Sequence, residues 1–381
     1  MRRFWRAQRD GPRFWRAQRD GPRLLRAQPD VNPPPVDCAE ALQAASGFDD
    51  VIDVRSESEF ADDHIPGAIN CPVLDDRQRA EVGTLHRQAS IFEARRRGAA
   101  LVSANIARHL EGALADKPRH WRPLVYCWRG GNRSAAMTHV LCRIGWGARS
   151  LDGGYRGFRR HVIRQLDELP PQLDFRVICG PTGSGKSRLL AALGAAGAQT
   201  IDLEDLAQHR GSVLGGMPHQ PQPTQRRFET LIWDCLRHAD PARPVYVESE
   251  SRKVGDCSVP EALIGCMRSA ACVRIELSMD ERVCLLRDEY AHYELDPAAL
   301  LAQLECLAPR YGNETVRAWK ALTESGNWDR LVECLLYEHY DPAYQRSIDR
   351  NFSRASVAAV VRPQGMSESA FATTAAALLA K

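Results

Sequence analysis

Two short stretches concentrate the residues that could do chemistry. The first is Cys127-Trp128-Arg129-Gly130-Gly131-Asn132-Arg133-Ser134, directly after the apolar run Leu124–Cys127. A thiol reacts as its thiolate, and the thiolate is favoured by nearby positive charge and inward-pointing N–H groups. Gly130 and Gly131 let the backbone curl so that successive N–H groups face one concave site. A helix starting at the end of the loop adds its positive N-terminal end. Arg129, Gly130, Gly131, Asn132, Arg133 and Ser134 are therefore the candidate anion-binding loop, with Cys127 as the candidate nucleophile. The plainer alternative is a buried strand-end cysteine beside a tight turn. The second stretch, Gly180-Pro181-Thr182-Gly183-Ser184-Gly185-Lys186-Ser187, matches G-x-x-x-x-G-K-[ST]. Its backbone N–H groups would wrap a diphosphate, Lys186 would neutralise the oxygens and Ser187 would reach Mg²⁺. Gly180, Thr182, Gly183, Ser184, Gly185, Lys186 and Ser187 are the candidate diphosphate-binding residues. Glu248 and Glu250, after the apolar run Val245–Val247, are candidate acids on the metal side. No Asn-Lys-x-Asp occurs, which counts against a guanine-specific GTPase.

Both stretches need a strand before them and a helix after them, and the flanking pattern supplies both. Strands are expected over 50–54, 68–73, 124–127 and 148–151, with helices over 101–114, 135–144 and from 155. A second alternation follows: strands over 175–179, 199–203, 245–247 and 272–277, with helices over 186–193, 224–237 and 280–292. Beyond Pro297 the pattern is helical to about Leu336, Tyr340-Asp341-Pro342 reads as a break, and 367–380 as a short Ala-rich helix or loose tail. The expected fold is α/β: a parallel-sheet domain over 36–169, a P-loop α/β domain over 173–295 and a helical region over 296–381. Leu169-Pro170-Pro171-Gln172 reads as the linker between the first two.

Composition narrows the class further. The 381 residues are 44% hydrophobic and 26% charged, ordinary for a globular protein. The net charge of +3 is uneven, because residues 1–30 hold nine Arg and three Asp. The remainder is slightly acidic, with 42 basic against 45 acidic residues. The Arg-rich start is a decapeptide repeat, RFWRAQRDGP over 3–12 and again over 13–22, with a decayed copy over 23–32. It reads as a disordered extension over 1–35 ending in Pro33-Pro34-Pro35. Arg interleaved with Phe and Trp would also suit RNA contact. Twelve cysteines include no Cys-x-x-Cys pair, against a zinc site of ordinary spacing. No apolar run is long enough to span a membrane and no secretory signal is visible, so a reducing cytoplasm is expected.

The first domain resembles the rhodanese family. Asp53-Val54-Arg55-Ser56-Glu57-Ser58-Glu59-Phe60 and His64-Ile65-Pro66-Gly67-Ala68-Ile69-Asn70 resemble its early signatures, Cys127–Ser134 its active loop and Leu151-Asp152-Gly153-Gly154 its late one. One departure is that five residues separate Cys127 from Arg133. That spacing also resembles Cys-based phosphatases and suits a donor carrying phosphate. Together with Gly180–Ser187, the stretches Asp202–Ser212, Phe228-Glu229, Val247–Arg252 and Tyr340-Asp341-Pro342-Ala343-Tyr344 make the chain similar to the bacterial tRNA 2-selenouridine synthase family. The resemblance implies selenophosphate and geranyl diphosphate as substrates, no tightly bound cofactor, and Mg²⁺ at the P-loop. It implies tRNA bearing 2-thiouridine at the wobble position as partner, with a selenophosphate supply enzyme as a further one and no membrane. Cys127 would carry selenium as a selenyl adduct. His209, Arg210 and Arg252 are candidate tRNA or diphosphate contacts, and Arg226-Arg227 and Lys253 further phosphate contacts. The alternatives are an ATP-dependent sulfurtransferase, a Cys-based phosphatase fused to a kinase-like domain, and a non-enzymatic nucleotide-sensing regulator.

Overall fold

The computed structural model describes residues 33–43, 47–212, 214–216 and 220–380. The repeat over 1–32 lies outside the described residues, and with it every expectation about the extension except Pro33–Pro35. The first sheet has four parallel strands, in the order Ile69–Asn70, Asp50–Asp53, Pro123–Tyr126, Arg149–Ser150. The second has five parallel strands, in the order Ala359–Val361, Ala271–Ile275, Phe175–Cys179, Val245–Glu248, Gln199–Ile201. The Cys127 loop leaves the carboxyl end of a central strand of the first sheet. The P-loop leaves that of the middle strand of the second. Ligands of open parallel sheets gather at these ends.

Four expectations change. Leu169–Gln172 is no loose linker: Pro170–Gln172 is a 3₁₀ turn, Pro170 is buried and Leu169 packs on the core. The two sheets share that core, because Tyr155, Phe158 and Val162 pack with Phe228, Ile232 and Trp233. Phe158 and Trp233 meet edge to face at 5.4 Å. Next, the 101–114 helix is part of a longer one, Ile91–Glu111, paired with an unexpected helix, Asp76–Gln88. A capping box between Asp75 and Gln78 starts that unexpected helix.

The third change concerns Tyr340-Asp341-Pro342, which does not break the chain. Trp328–Cys334 runs through a π-helical segment, Leu335–Tyr340, into Asp341–Asn351. The Asp341 N–H reaches back five residues to the Leu336 carbonyl. Widening the helix in this way accommodates a proline that lacks an N–H. The fourth is that the region after 296 is not wholly helical. Ala359–Val361 returns as an edge strand of the P-loop sheet, and Glu368–Leu379 packs against the P-loop helix, Lys186–Ala195. Among the described residues, no helix is long and apolar enough to cross a membrane.

Candidate functional site

Cys127 stands just beyond the buried strand Pro123–Tyr126 and is itself 3% exposed. Its Sγ accepts from the Gly131 N–H at 3.2 Å and from Ser134 Oγ at 3.3 Å. Burial pushes the thiol pKa up, but other effects outweigh it. The Ser134 hydroxyl, the amides of Ser134 and Arg129, and the charge of Arg133 together bring it below the ordinary value. The helix Asn132–Ile144 begins within the loop. Arg129 is exposed and reaches the thiol through its backbone, not its guanidinium. Arg133 is held by Glu59, Nη1 to Oε2 at 2.9 Å, so its charge is partly neutralised. Gly130, Gly131 and Asn132 form the rim of the loop, the latter two exposed.

The flanking signatures turn out to be scaffolding. Arg55 forks onto Asp53 with Nη2 to Oδ2 at 2.7 Å, both fully buried, and caps the Asp63 carbonyl at 2.6 Å. Its guanidinium lies 4.0 Å from the centroid of the Tyr155 ring. Gly154, at φ +54°, is pressed so closely on the loop that a Cβ there would lie 2.3 Å from the Cys127 carbonyl oxygen and 2.4 Å from the Gly130 nitrogen. The Tyr155 N–H donates to that carbonyl at 2.8 Å.

At the second loop, Lys186 Nζ donates to the Gly180 carbonyl at 3.0 Å and Ser187 Oγ to Glu204 Oε2 at 3.1 Å. A Cβ on Gly183 would meet Leu286 at 2.8 Å, and one on Gly185 would meet Phe371 at 2.7 Å. These glycines therefore admit close packing as well as left-handed φ values of +74° and +84°. Thr182 belongs to a clamp: its carbonyl accepts from Arg282 Nε at 2.9 Å, and Arg282 Nη1 holds Asp341 Oδ2 at 3.0 Å. Ser184 is buried in the loop.

The acids gather as expected, with two additions. Glu248 is buried, and its Oε1 accepts the Glu204 N–H at 3.0 Å. Burial first, then Asp202, Glu204 and Glu250, hold its carboxyl well above the usual range. Burial, with Glu204 adding to it, raises Glu250 to about 8. Burial raises Asp202 to about 6, with Glu204 and Asp205 adding to it. Glu248 Oε2 is buried without a hydrogen-bond partner. A carboxylate set short of positive charge, beside a hydroxyl, fits a divalent cation. Among the described residues no three acids, cysteines or histidines form a closed metal cage. Such an ion would thus take Ser187, an acid and ligand phosphate oxygens, as Mg²⁺ prefers.

A cavity of about 320 Å³ opens over this loop, with Lys186, Ser187, Glu204, Arg210, Glu250 and Tyr344 in its walls. Arg210 is thus brought to the P-loop, stacked 4.6 Å from the centroid of the Tyr290 ring. His209 does not line that cavity; its Nδ1 accepts the Gly211 N–H at 3.1 Å, and burial lowers its pKa. Arg252 is exposed and pairs with Glu261, and Lys253 is exposed on a small hairpin. Arg226 and Arg227 are not free phosphate contacts. Arg226 holds Asp62 at 2.9 Å and Arg227 the His64 carbonyl at 3.2 Å, both across the seam between the sheets. Glu229 pairs with Arg159 there, and Asp63 accepts from Tyr155 and Thr230, each at 2.9 Å.

Sequence reasoning missed Glu59, Asp202, Glu204, Arg282 and Asp341. Glu59, Asp202, Glu204 and Asp341 lie within stretches that carried a resemblance. Arg282 had no signal beyond its helix. None of the twelve cysteines is joined in a disulfide.

Comparison with known proteins agrees with this geometry. Residues 36–161 match the family described as a rhodanese-like domain, and residues 173–308 the family described as a tRNA 2-selenouridine synthase AAA domain. The tRNA 2-selenouridine synthase of Cupriavidus necator is 35% identical over 77% of this chain and 87% of its own length. Those of Shewanella halifaxensis and Marinobacter nauticus are each 30% identical, over 80% and 77% of this chain and 90% and 87% of their own lengths. Two loops at the carboxyl ends of two parallel sheets, in this order and over this length of chain, place the protein in the tRNA 2-selenouridine synthase family.

Proposed function

We propose that the protein replaces the sulfur of 2-thiouridine at the tRNA wobble position with selenium from selenophosphate, by way of an S-geranyl intermediate. The observation that carries this is the pairing of an acidified thiol in an anion loop with a P-loop on one shared core. In the first step the P-loop holds the diphosphate of geranyl diphosphate. The thiocarbonyl sulfur attacks carbon 1 of the geranyl chain, the C–O bond breaks and diphosphate leaves. Lys186 and the loop amides stabilise the charge that develops on the leaving oxygens. Mg²⁺, when bound beside Ser187, supplies further neutralisation there.

In the second step selenium replaces the geranylthio group, which leaves more readily than the original sulfur. Selenium in selenophosphate is already at the selenide level, and this decides the role of Cys127. Attack of its thiolate on phosphorus breaks the P–Se bond and releases selenide. Selenide then attacks carbon 2 of the base, geranylthiol departs, and water returns the phosphorylated Cys127 to the thiol with release of phosphate. Attack on selenium would instead release phosphite and leave a selenyl adduct that needs a reductant. The phosphoryl route closes with water alone and suits the five-residue Cys–Arg spacing. Selenophosphate makes an enzyme that supplies it the natural second partner, in the reducing cytoplasm where selenide persists.

The test is a stepwise assay with thiouridine tRNA and each donor in turn. Cys127→Ser should abolish selenation while geranylation continues. Phosphorus NMR should show phosphate as the co-product. Phosphite would restore the selenyl adduct, and full selenation by Cys127→Ser would remove the thiol from the mechanism.

A further inference from the structure

An open groove of about 400 Å³ runs beside the Cys127 loop. Trp128 and Arg133 come from the loop itself, and Glu59, Asp62 and Arg79 from the helices next to it. Arg226 closes the groove from the P-loop half, so the groove lies on the seam between the two sheets. Its charged residues are already paired with one another. Glu59 takes Arg133 at 2.9 Å and Arg79 at 3.7 Å, and Asp62 takes Arg226 at 2.9 Å.

The aromatic wall has more to offer a ligand. Trp128 is half-buried and stacks on Tyr155, with ring centroids 5.3 Å apart and planes at 29°. Tyr155 is pinned at three points. Its N–H holds the Cys127 carbonyl at 2.8 Å, its hydroxyl holds Asp63 at 2.9 Å, and Arg55 lies 4.0 Å from its ring centroid. The indole is therefore ordered in advance, which spares a ligand the entropy of fixing it. Arg129 follows Trp128 directly, and the Arg156 N–H donates to the Trp128 carbonyl at 3.1 Å. Both arginines are exposed, and among the described residues neither guanidinium has an ion-pair partner. A phosphate would pair with either without breaking an existing bridge.

A fixed aromatic face beside unpaired arginines suits single-stranded nucleic acid, whose bases stack while its phosphates pair. A small oxyanion would make no use of the indole. Selenium freed at Cys127 must also reach carbon 2 of a base, and Trp128 is the next residue. An enzyme that does chemistry on a base takes that base out of its stack. We infer that the target base is turned out of the tRNA loop and stacked on Trp128, with Arg129 and Arg156 pairing the phosphates beside it. The inference rests on the reading of the Cys127 loop as the place where selenium enters the base, and it adds the seat for that base.

The experiment compares Trp128→Phe with Trp128→Leu in the full chain, with tRNA carrying 2-thiouridine. Both variants keep the wall apolar and filled, but only Phe offers a ring face. Trp128→Leu should raise the KM for tRNA in selenation about tenfold or more and weaken gel-shift binding alike. Trp128→Phe should recover most of both. Equal behaviour of the two variants would overturn the stacking role. Arg129→Ala combined with Arg156→Ala should lower the slope of log affinity against log salt by about one for each arginine. An unchanged slope would remove them from the phosphate contact. A stem-loop RNA with 5-iodouridine at the wobble position reports the seat without any reaction. On irradiation it should join to Trp128 of the unaltered chain. Joining only at residues outside the groove would overturn the seat, even if both Trp128 variants failed to fold. A chain that joins the probe at Trp128 yet forms no 2-selenouridine would retain the seat and sink the proposed function.

Discussion

Ser134 sits at the point where the chemistry of Cys127 is set. Its hydroxyl is 3.3 Å from the sulfur and 3.1 Å from the Gly131 carbonyl, and it is fully buried. Hydrogen bonds to a charged group contribute about 1.5–3 kcal/mol. Ser134→Ala should therefore slow iodoacetamide alkylation of Cys127 by about tenfold at neutral pH, since about 1.4 kcal/mol is a factor of ten. The sign follows from the thiol's depressed pKa: the thiolate is present above that pKa and is lost as pH falls through it. Removing the donor moves the alkylation midpoint upward, whereas a purely steric change would alter the rate without moving the midpoint. Gly154 makes a second residue-scale prediction. Gly154→Ala drives a methyl group into the Cys127 carbonyl and strains φ, at a cost of about 1–3 kcal/mol. Selenation should fall sharply and diphosphate binding should persist. Loss of both together would mean that the loop's support is not local.

Among elements, the helix Gly154–Glu168 connects the two halves. Its first turn braces the Cys127 loop, and along its length Arg159 and Phe158 meet the helix Gln225–His238 of the P-loop half. The clamp between Arg282 and Asp341 does the equivalent for the P-loop and the helical run after it. Arg282→Ala removes bonds from a side chain only 7% exposed, although Asp341 keeps some solvent. It should cost about 2 kcal/mol by denaturant titration and weaken diphosphate binding. Unchanged binding would show that the clamp is structural alone. The sequence made the strand–loop–helix frame of both sites readable, because buried parallel strands are short apolar runs and glycine-rich loops have fixed spacing. Asp76–Gln88 was harder to see, since its face carries only scattered apolar residues among Arg, Gln and Glu. Ala359–Val361 has three residues and no alternation to betray it. Arg226 and Arg227 look like any basic pair on a helix. Only folding reveals that their partners, Asp62 and His64, lie more than 160 residues earlier.

At the scale of the whole molecule, charge argues for local recognition of tRNA. Residues 1–30 hold a net six positive charges, and the body behind them is slightly negative. If tRNA is held by patches of arginine on that body, removing residues 1–32 should leave modification intact, with binding that weakens steeply as salt rises. A large loss of tRNA affinity in the truncated chain, measured by gel shift, would shift the role to the repeat. The sheet that carries the P-loop has a further consequence, for the order of events during synthesis. Its edge strand Ala359–Val361 pairs with Ala271–Ile275, and Phe371 presses on Gly185 some 186 residues earlier. Contacts so distant along the chain are slow to form and cannot form before both partners exist. A ribosome would therefore release the Cys127 loop on a complete four-stranded sheet well before the P-loop gains its backing. The nascent chain would hold a finished thiol site while its partner site still awaited assembly.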